Sequence, residues 1–244
     1  MSAALQALIF DVDGTLADTE AAHLAAFNQA FAQEGLDWHW DEPLYKQLLQ
    51  ISGGKERLRA YWISRADMPR AISAGAVDDT IARIHDIKTA AYELAVQQGQ
   101  VQMRPGILAL LKAASREGLR LAIATTTSPV NIASLLRHGI GPDWRLQFTV
   151  IEDASTASRK KPDPLVYQQT LRRLGLRAEQ VLAFEDSANG LQAALAAGLA
   201  TVVTPNTWTQ EQDFQGALRV LPDLSGVDVA QLRHWHAVGT QAQG

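Results

Sequence analysis

Short apolar segments alternate along this chain with longer segments of helical periodicity, and this alternation constrains the fold more than any other feature. The strand-like segments span residues 7–10, 120–124, 148–151, 181–184 and 201–203. Strand–helix alternation is typical of a parallel sheet with right-handed crossover connections. We therefore predict an α/β fold whose core is a Rossmann-like, doubly wound parallel sheet.

One long interval interrupts this alternation. Residues 19–98 contain no convincing strand pattern. Helical periodicity is clear over residues 20–33, 43–50, 55–63 and 77–97. We therefore predict an all-helical cap domain over residues 19–98, inserted into a core domain formed by residues 1–18 and 99–244. Both joins leave the sheet beside the first strand, so the cap should overhang that edge as a lid. A helical insertion without a functional role is the alternative.

The composition excludes several classes of protein. The 244 residues carry a formal net charge of −4 and no long basic run, so we expect no nucleic-acid partner. The absence of cysteine excludes disulfides, thiolate catalysis and cysteine-ligated zinc. Neither a membrane-spanning apolar stretch nor a secretory signal is evident. We therefore expect a cytoplasmic, monomeric protein with no membrane partner.

Two acidic residues follow the first strand. Asp11 and Asp13 stand directly after the apolar run at residues 7–10 and before Gly14. Charges at the end of a buried strand are unfavourable unless they are paired or bind a metal. In open α/β sheets, ligands bind at the carboxyl ends of the strands. Asp11 and Asp13 are therefore candidates for holding a hard cation through a side-chain oxygen and a backbone carbonyl. A solvated acidic turn is the alternative.

Three further polar clusters stand near the ends of later strands. Residues 125–128 are four hydroxyl side chains in a row, a basic segment contains Lys161, and Glu185 and Asp186 end the fourth strand. Such groups can cradle an anion, neutralise a phosphoryl oxygen and bind Mg²⁺, respectively. Taken singly, they are also typical of helix caps and surface patches. Together at one sheet edge they predict phosphoryl transfer through an aspartyl-phosphate intermediate.

These four clusters resemble the motifs of the haloacid dehalogenase superfamily, in the branch with a helical cap after the first strand. The resemblance implies that Asp11 attacks phosphorus, while Asp13 protonates the leaving oxygen and then activates water. It also implies that Thr125 and Lys161 hold the transferring phosphate. The implied Mg²⁺ ligands are Asp11, the Asp13 carbonyl, Asp186 and, in the coordination sphere or just outside it, Glu185.

Segments of the predicted cap narrow the resemblance. Residues 18–23, 52–57 and 84–88, together with the string at 124–128, are similar to the CbbY type of sugar bisphosphate phosphatase. That type hydrolyses xylulose-1,5-bisphosphate, an inhibitor of Rubisco, to xylulose 5-phosphate. The resemblance therefore implies a Mg²⁺-dependent phosphatase with a phosphosugar substrate and a link to the Calvin cycle.

A bisphosphate needs a second phosphate site, and the cap offers candidates for it. Gly53 and Gly54 allow backbone N–H groups to approach an anion closely. Arg83 and His85 are candidate cations beside the main set, and ordinary surface charge is the alternative for each cation. For His23, a structural role is the alternative. The predicted substrate-binding residues are Glu20, His23, Gly53, Gly54, Lys55, Arg57, Lys88, Thr126, Thr127 and Ser128.

Two other functions compete with this prediction. A β-phosphoglucomutase-like enzyme shares the core motifs and the position of the cap, although the segment at residues 53–57 departs from the mutase pattern. A sugar phosphatase of broader specificity belongs to the same alternative. A phosphosugar-binding protein without catalysis is disfavoured by the intact Asp11, Asp13, Lys161 and Asp186.

Overall fold

A computed structural model of the chain describes residues 3–65 and 74–241, and its core is a six-stranded parallel sheet. The strands are β1 (Ala7–Phe10), β2 (Arg120–Ala124), β3 (Val150–Glu152), β4 (Val181–Glu185), β5 (Ala200–Val203) and β6 (Arg219–Val220). Their spatial order is β3-β2-β1-β4-β5-β6, and every neighbouring pair is parallel. The predicted α/β class and doubly wound parallel sheet are confirmed. Strand β6 was not predicted, because both of its residues are exposed and form no apolar run.

Among the described residues, the first four α-helices along the chain follow β1 and lie within residues 19–98, and we call them the cap helices. They are α1 (Glu20–Gln33), α2 (Glu42–Leu48), α3 (Gly54–Ser64) and α4 (Ala74–Gln97). They share an apolar cluster that includes Phe27, Phe31, Trp40 and Tyr45. Within the described part of residues 19–98, no strand is present. The division into a cap domain and a core domain at the boundaries given above stays a prediction.

Helices cover both faces of the sheet, which explains why its strands are nearly continuous apolar runs. In β1, Leu8 and Phe10 belong to one apolar cluster and Ala7 and Ile9 to another. Phe10 stacks on Phe184 of β4, with ring centroids 4.6 Å apart. The remaining helices are α5 (Ile107–Arg116), α6 (Pro129–Gly139), α7 (Leu165–Leu174), α8 (Ala188–Ala196) and α9 (Val229–Gln241). Over the described ranges, no helix combines the length and apolarity needed to cross a membrane.

The position of β1 decides where the polar clusters meet. It pairs with β2 on one side and with β4 on the other. The chain builds β2 and β3 outward on one side and then β4, β5 and β6 on the other. Residues 11–13 therefore leave the sheet at the point where the strand order reverses, which is where ligands bind in such folds.

The two segments that join the cap helices to the sheet lie side by side. The backbone N–H of Asp18 donates to the carbonyl of Gln102 at 3.0 Å, and that of Arg104 donates to the carbonyl of Leu16 at 2.9 Å. Ala17 and Met103 form an antiparallel bridge between these bonds. The entry and exit of the cap helices are thus hydrogen-bonded to each other directly after the Asp11 to Asp13 loop.

Candidate active site

A cavity of about 380 Å³ lies between the carboxyl edge of the sheet and the cap helices. Side chains from all four strand-end clusters and from the cap helices line it. The structure therefore brings the predicted catalytic, metal-binding and substrate-binding residues into one cavity, although their individual roles stay predictions. These residues are Asp11, Asp13, Glu20, His23, Gly53, Gly54, Lys55, Arg57, Lys88, Thr125, Thr126, Thr127, Ser128, Lys161, Glu185 and Asp186.

Lys161 is buried between two carboxylates. Its Nζ donates to Asp11 Oδ1 and to Glu185 Oε1, each at 2.6 Å, and to the carbonyl of Ala124 at 3.0 Å. Burial opposes the charge of Lys161, but the carboxylates of Asp11 and Glu185 outweigh it and raise the lysine pKa well above its usual range. Lys161 is therefore an ammonium ion at neutral pH, held with all three of its protons directed at named acceptors.

Tyr167 of α7 binds Glu185, the second of the two carboxylates that contact Lys161. Its hydroxyl donates to Glu185 Oε1, and Lys161 Nζ lies 5.1 Å from the centre of its ring. Glycine is required at position 190, because a side chain there would collide with the Glu185 carboxylate. Sequence reasoning missed Tyr167, because an aromatic residue on the buried face of a helix resembles an ordinary core residue.

Asp186 is held by a residue that sequence reasoning also missed. Asn206 Nδ2 donates to Asp186 Oδ2 at 2.8 Å, and Thr15 Oγ1 lies 3.5 Å from Asp186 Oδ1. Burial and the nearby charges of Asp11 and Glu185 raise the pKa of Asp186 well above its usual range. Asn206 follows the end of β5, so the strand-end argument used for the other clusters could have found it.

The carboxylates of Asp11, Glu185 and Asp186 suit a divalent cation. One oxygen from each lies within 4.8 Å of the others, and all three residues are buried. Lys161 supplies one positive charge against these three carboxylates. Glu185 Oε2 is buried and has no hydrogen-bond partner among the described residues. Hard oxygen donors with excess negative charge are the donor set that Mg²⁺ prefers, so the residues fit the predicted metal.

Both carboxylate oxygens of Asp13 have a polar partner. Its Oδ1 lies 3.2 Å from His23 Nε2, and its Oδ2 accepts a hydrogen bond from Thr127 Oγ1. Burial alone would raise the pKa of Asp13, but His23, Thr127 and Lys88 outweigh it and lower the pKa far below its usual range. Asp13 is therefore ionised at neutral pH and is placed to accept a proton.

Cationic groups lie at two different places in the cavity. Lys88 is buried, with its Nζ 2.9 Å from His23 Nδ1 and 5.0 Å from the centre of the Phe27 ring. Burial lowers the pKa of Lys88 to about 8, against the opposing charges of nearby carboxylates. Lys55 is exposed at the beginning of α3, two residues after Gly53, whose φ of 96° is accessible mainly to glycine. Lys88 thus lies next to His23, the partner of Asp13, whereas Lys55 is exposed at the mouth of the cavity.

Arg57 holds the cap helices together. Its Nε donates to the carbonyl of Leu48 at 3.0 Å, Nη2 donates to that of Ile51 at 3.3 Å, and Nη1 donates to the Tyr45 hydroxyl at 3.2 Å. The Tyr45 hydroxyl donates in turn to Glu20 Oε2 at 2.8 Å. Arg57 therefore orders the cavity wall that carries Glu20, in addition to lining the cavity itself.

The structure corrects the two additional cation candidates. Arg83 is exposed and donates to Glu34 Oε2 at 3.3 Å, and it is not among the described residues that line the cavity. His85 does line the cavity, but burial and the charges of Lys88 and Lys55 lower its pKa to about 3. His85 is therefore neutral at neutral pH and supplies no charge for a phosphate.

The four hydroxyl residues after β2 make local hydrogen bonds, including a helix cap, and also line the cavity. Ser128 Oγ accepts from the backbone N–H of Asn131 at 3.3 Å and caps α6. Thr125 Oγ1 accepts from the backbone N–H of Thr127 at 3.3 Å. All four hydroxyl residues still line the cavity, and Thr126 is half-buried there. The capping alternative is thus correct for Ser128, and it does not exclude a phosphate contact.

The chain belongs to the haloacid dehalogenase-like hydrolase family, whose family model matches residues 5–198. Within this family it is a phosphatase of the CbbY type. The protein named CbbY, plasmid, from Cupriavidus necator is 52% identical over 248 residues, which cover 95% of this chain and 97% of the relative.

Solved structures agree with this assignment. CbbY from Rhodobacter sphaeroides in complex with phosphate has a TM-score of 0.86 and 41% identity, covering 93% of this chain and 99% of that one. A mutant of the same protein in complex with xylulose-1,5-bisphosphate has a TM-score of 0.87 and 40% identity, with the same coverage. A β-phosphoglucomutase from Clostridium difficile, with 19% identity over 95% of this chain and 97% of that one and a TM-score of 0.76, shares the fold.

Proposed function

We propose that this chain is a Mg²⁺-dependent phosphatase that hydrolyses xylulose-1,5-bisphosphate to xylulose 5-phosphate and phosphate. The single observation that carries the proposal is one cavity lined both by a buried acidic group, formed by Asp11, Glu185 and Asp186, and by the exposed Lys55 beside two glycines. A relative with 40% identity was crystallised with this bisphosphate, which supports the choice of substrate. The link to Rubisco inhibition, the cytoplasmic location and the monomeric state belong to the same proposal.

In the proposed reaction, Asp11 is the nucleophile and Lys161 keeps its carboxylate in place. Attack of a carboxylate oxygen on phosphorus forms the aspartyl phosphate and breaks the bond to the sugar oxygen, which takes a proton from Asp13. Because Asp13 is ionised before substrate binds, it must first take up one proton from solvent, and the negative charge of the incoming phosphate favours this uptake. Asp13 then removes a proton from the water that hydrolyses the aspartyl phosphate. Asp13 therefore acts first as acid and then as base.

The metal and the hydroxyl run support this chemistry. Mg²⁺ would be held by Asp11, Glu185, Asp186 and the backbone carbonyl of Asp13, and its charge would stabilise the phosphoryl oxygens. Thr125 and Lys161 would hold the transferring phosphate, with Lys161 exchanging one of its three present acceptors for a phosphoryl oxygen. Glu20 and His23 also line the cavity, and in this proposal they would bind sugar hydroxyls.

A panel of phosphosugars tests the proposed function. We expect the highest kcat/KM for xylulose-1,5-bisphosphate, with lower values for fructose-1,6-bisphosphate and β-glucose 1-phosphate, and loss of activity on removal of Mg²⁺ with EDTA. Release of inorganic phosphate and chromatography of the sugar product are measured together. Formation of glucose 6-phosphate without phosphate release would instead establish the mutase. Equal rates on the whole panel would indicate a phosphatase of broad specificity.

Asp13→Ala should retain Mg²⁺ affinity better than Asp186→Ala. Asp13 is proposed to bind the metal through its backbone carbonyl, which the substitution leaves in place, whereas Asp186 offers a side-chain oxygen. We expect Mg²⁺ affinity within about threefold of wild type for Asp13→Ala and at least about tenfold weaker for Asp186→Ala. Calorimetric titration of each metal-free variant with Mg²⁺ measures this. An equal loss in both variants would contradict the assigned ligands.

Lys55→Ala should impair the bisphosphate selectively. A charge-assisted hydrogen bond to phosphate contributes about 1.5–3 kcal/mol, so kcat/KM for xylulose-1,5-bisphosphate should fall about ten- to a hundredfold. The value for para-nitrophenyl phosphate, which has no second phosphate, should stay near that of wild type. Lys88→Ala is the matched comparison and should lower both, because Lys88 contacts the histidine that binds Asp13. Parallel losses in Lys55→Ala would remove Lys55 from the remote phosphate site.

A further inference from the structure

We propose that Asn206, in the loop after β5, is a positioning residue for the metal ligand Asp186. This inference rests on the proposed function, because it requires a divalent cation at the buried acidic group. Asn206 is a neutral amide that touches only one of the three carboxylates in that group. Its effect should therefore appear in metal affinity before it appears in the chemistry of phosphate transfer.

The contacts of Asn206 fix both ends of its amide. Nδ2 donates to Asp186 Oδ2 at 2.8 Å, and Oδ1 accepts from the backbone N–H of Trp208 at 2.8 Å. The backbone N–H of Asn206 donates to Thr209 Oγ1 at 3.1 Å. Because the acceptor end is occupied by a backbone donor, the NH₂ end is directed at the carboxylate, and the orientation of the amide is determined.

The loop that carries Asp11 and Asp13 has a glycine, Gly14, where it passes the Asn206–Asp186 hydrogen bond. Gly14 has a φ of 77°, and a side chain on it would collide with Asp186 Oδ2 and lie 2.7 Å from Asn206 Nδ2. Asn206 Nδ2 also lies 3.5 Å from the carbonyl of Gly14. Asp186 is therefore enclosed by the loop that carries Asp11 and Asp13 on one side and by Asn206 on the other.

A hydrogen bond that orients a ligand carboxylate has a known consequence for metals. Removal of such a partner commonly weakens metal affinity about ten- to a hundredfold, because the ligand must then be ordered at the moment of binding. In this protein the cost should be large, because Asp186 lies near two other buried carboxylates that repel it. Asn206 opposes that repulsion by holding Oδ2 in place without adding a charge.

The loop that carries Asn206 also contacts the cap helices through Trp208. A substitution of Trp208 can therefore test this contact separately from the hydrogen bond to Asp186. The indole of Trp208 packs edge-on against Tyr45 of α2, with ring centroids 5.6 Å apart. Removal of the indole leaves the backbone N–H that binds Asn206 Oδ1. Trp208→Ala should therefore disturb the contact with the cap helices while leaving the Asn206–Asp186 hydrogen bond intact.

The experiment measures Mg²⁺ binding to full-length, metal-free protein by calorimetry, together with kcat at increasing Mg²⁺ concentration. We expect Asn206→Ala to weaken Mg²⁺ affinity about ten- to a hundredfold, with kcat near that of wild type once Mg²⁺ is saturating. Asn206→Ser retains a hydroxyl that can accept the Trp208 N–H, so it should fold like wild type and show the same loss. Thr207→Ala, at an exposed position in the same loop, and Trp208→Ala should bind Mg²⁺ within about twofold of wild type.

Several outcomes would overturn the inference. One is wild-type Mg²⁺ affinity in both Asn206 variants; another is an equal loss of affinity in Trp208→Ala, which would assign the effect to packing of the loop. A lower kcat that saturating Mg²⁺ does not restore would assign Asn206 to the chemistry. These results leave the proposed function standing, whereas failure of wild-type protein to bind Mg²⁺ would overturn both.

Discussion

Asp11→Asn is expected to reduce turnover by several orders of magnitude while the protein remains folded. The amide oxygen is a poor nucleophile, and a neutral side chain is also a weaker ligand for Mg²⁺. Removal of one member of a catalytic group that acts as a unit is seldom a partial loss. In this structure the substitution also removes one of the two carboxylates bound by Lys161, whose other partner, Glu185, remains. The lysine therefore stays paired, which is why we expect the fold to survive.

The measurement is kcat for xylulose-1,5-bisphosphate and for para-nitrophenyl phosphate, with the melting temperature recorded for the same preparation. Asp37→Asn provides the matched control, because it makes the same chemical change at a carboxylate that is 82% exposed in its side chain. The control should retain full turnover. If Asp11→Asn retained turnover within tenfold of wild type at an unchanged melting temperature, Asp11 would not be the nucleophile.

Lys161→Met is expected to damage both stability and catalysis. The side chain of methionine has a similar length, so the change mainly removes the charge between Asp11 and Glu185. Removal of one partner from a buried ion pair commonly costs about 3–5 kcal/mol, because it leaves a carboxylate buried and unpaired. Turnover should fall with it, since no ammonium remains to hold the transferring phosphate and the nucleophile.

Urea unfolding of metal-free protein measures the stability loss, and pH supplies a second test. Burial already raises the pKa of Asp11 to about 7, and without the Lys161 ammonium it should rise further. The folded variant then binds more protons than folded wild type above pH 7, so its stability deficit should shrink as the pH falls from about 9 to about 7. Lys160→Met is the control, because its ammonium donates to the carbonyl of Ala154 instead. Equal stability of the two variants would show that the buried pair does not stabilise the fold.

The parallel sheet and the meeting of its polar clusters were predictable from the sequence, because strand–helix alternation indicates the first and the residues at the strand ends indicate the second. Parallel strands present their carboxyl ends at one edge, so residues that follow different strands must approach each other. The bounds of β1 and β2 could be predicted because their apolar runs end abruptly at charged or hydroxyl residues. For β3 the prediction began two residues early, at Phe148, because this residue is apolar but packs against Trp144 in the turn before the strand.

Other parts of the site could not be predicted because they depend on contacts between distant segments. Lys88 was predicted to bind substrate, which stays a prediction, but the contact of its ammonium with His23 of another helix could not be foreseen. The pairing of Arg57 with Tyr45 depends on how α2 and α3 pack, which helical periodicity does not give. The hydroxyl of Tyr167 in α7 donates to Glu185 at the end of β4, a contact between two elements that the pattern of either one does not give. In each case the sequence gives the residue type but not the residue that it contacts.

The paired connections at residues 16–18 and 102–104 restrict how this molecule can move. Two connecting segments that are hydrogen-bonded to each other resist sliding past each other and twisting more than they resist bending together. Opening of the cavity should therefore be a rotation about a single axis next to Asp13. Residues near that axis, such as His23, would travel a short distance, whereas Lys55 at the mouth would sweep a longer arc. A substrate that first binds Lys55 through its remote phosphate would then move toward the acidic group during the same rotation that returns His23 to Asp13.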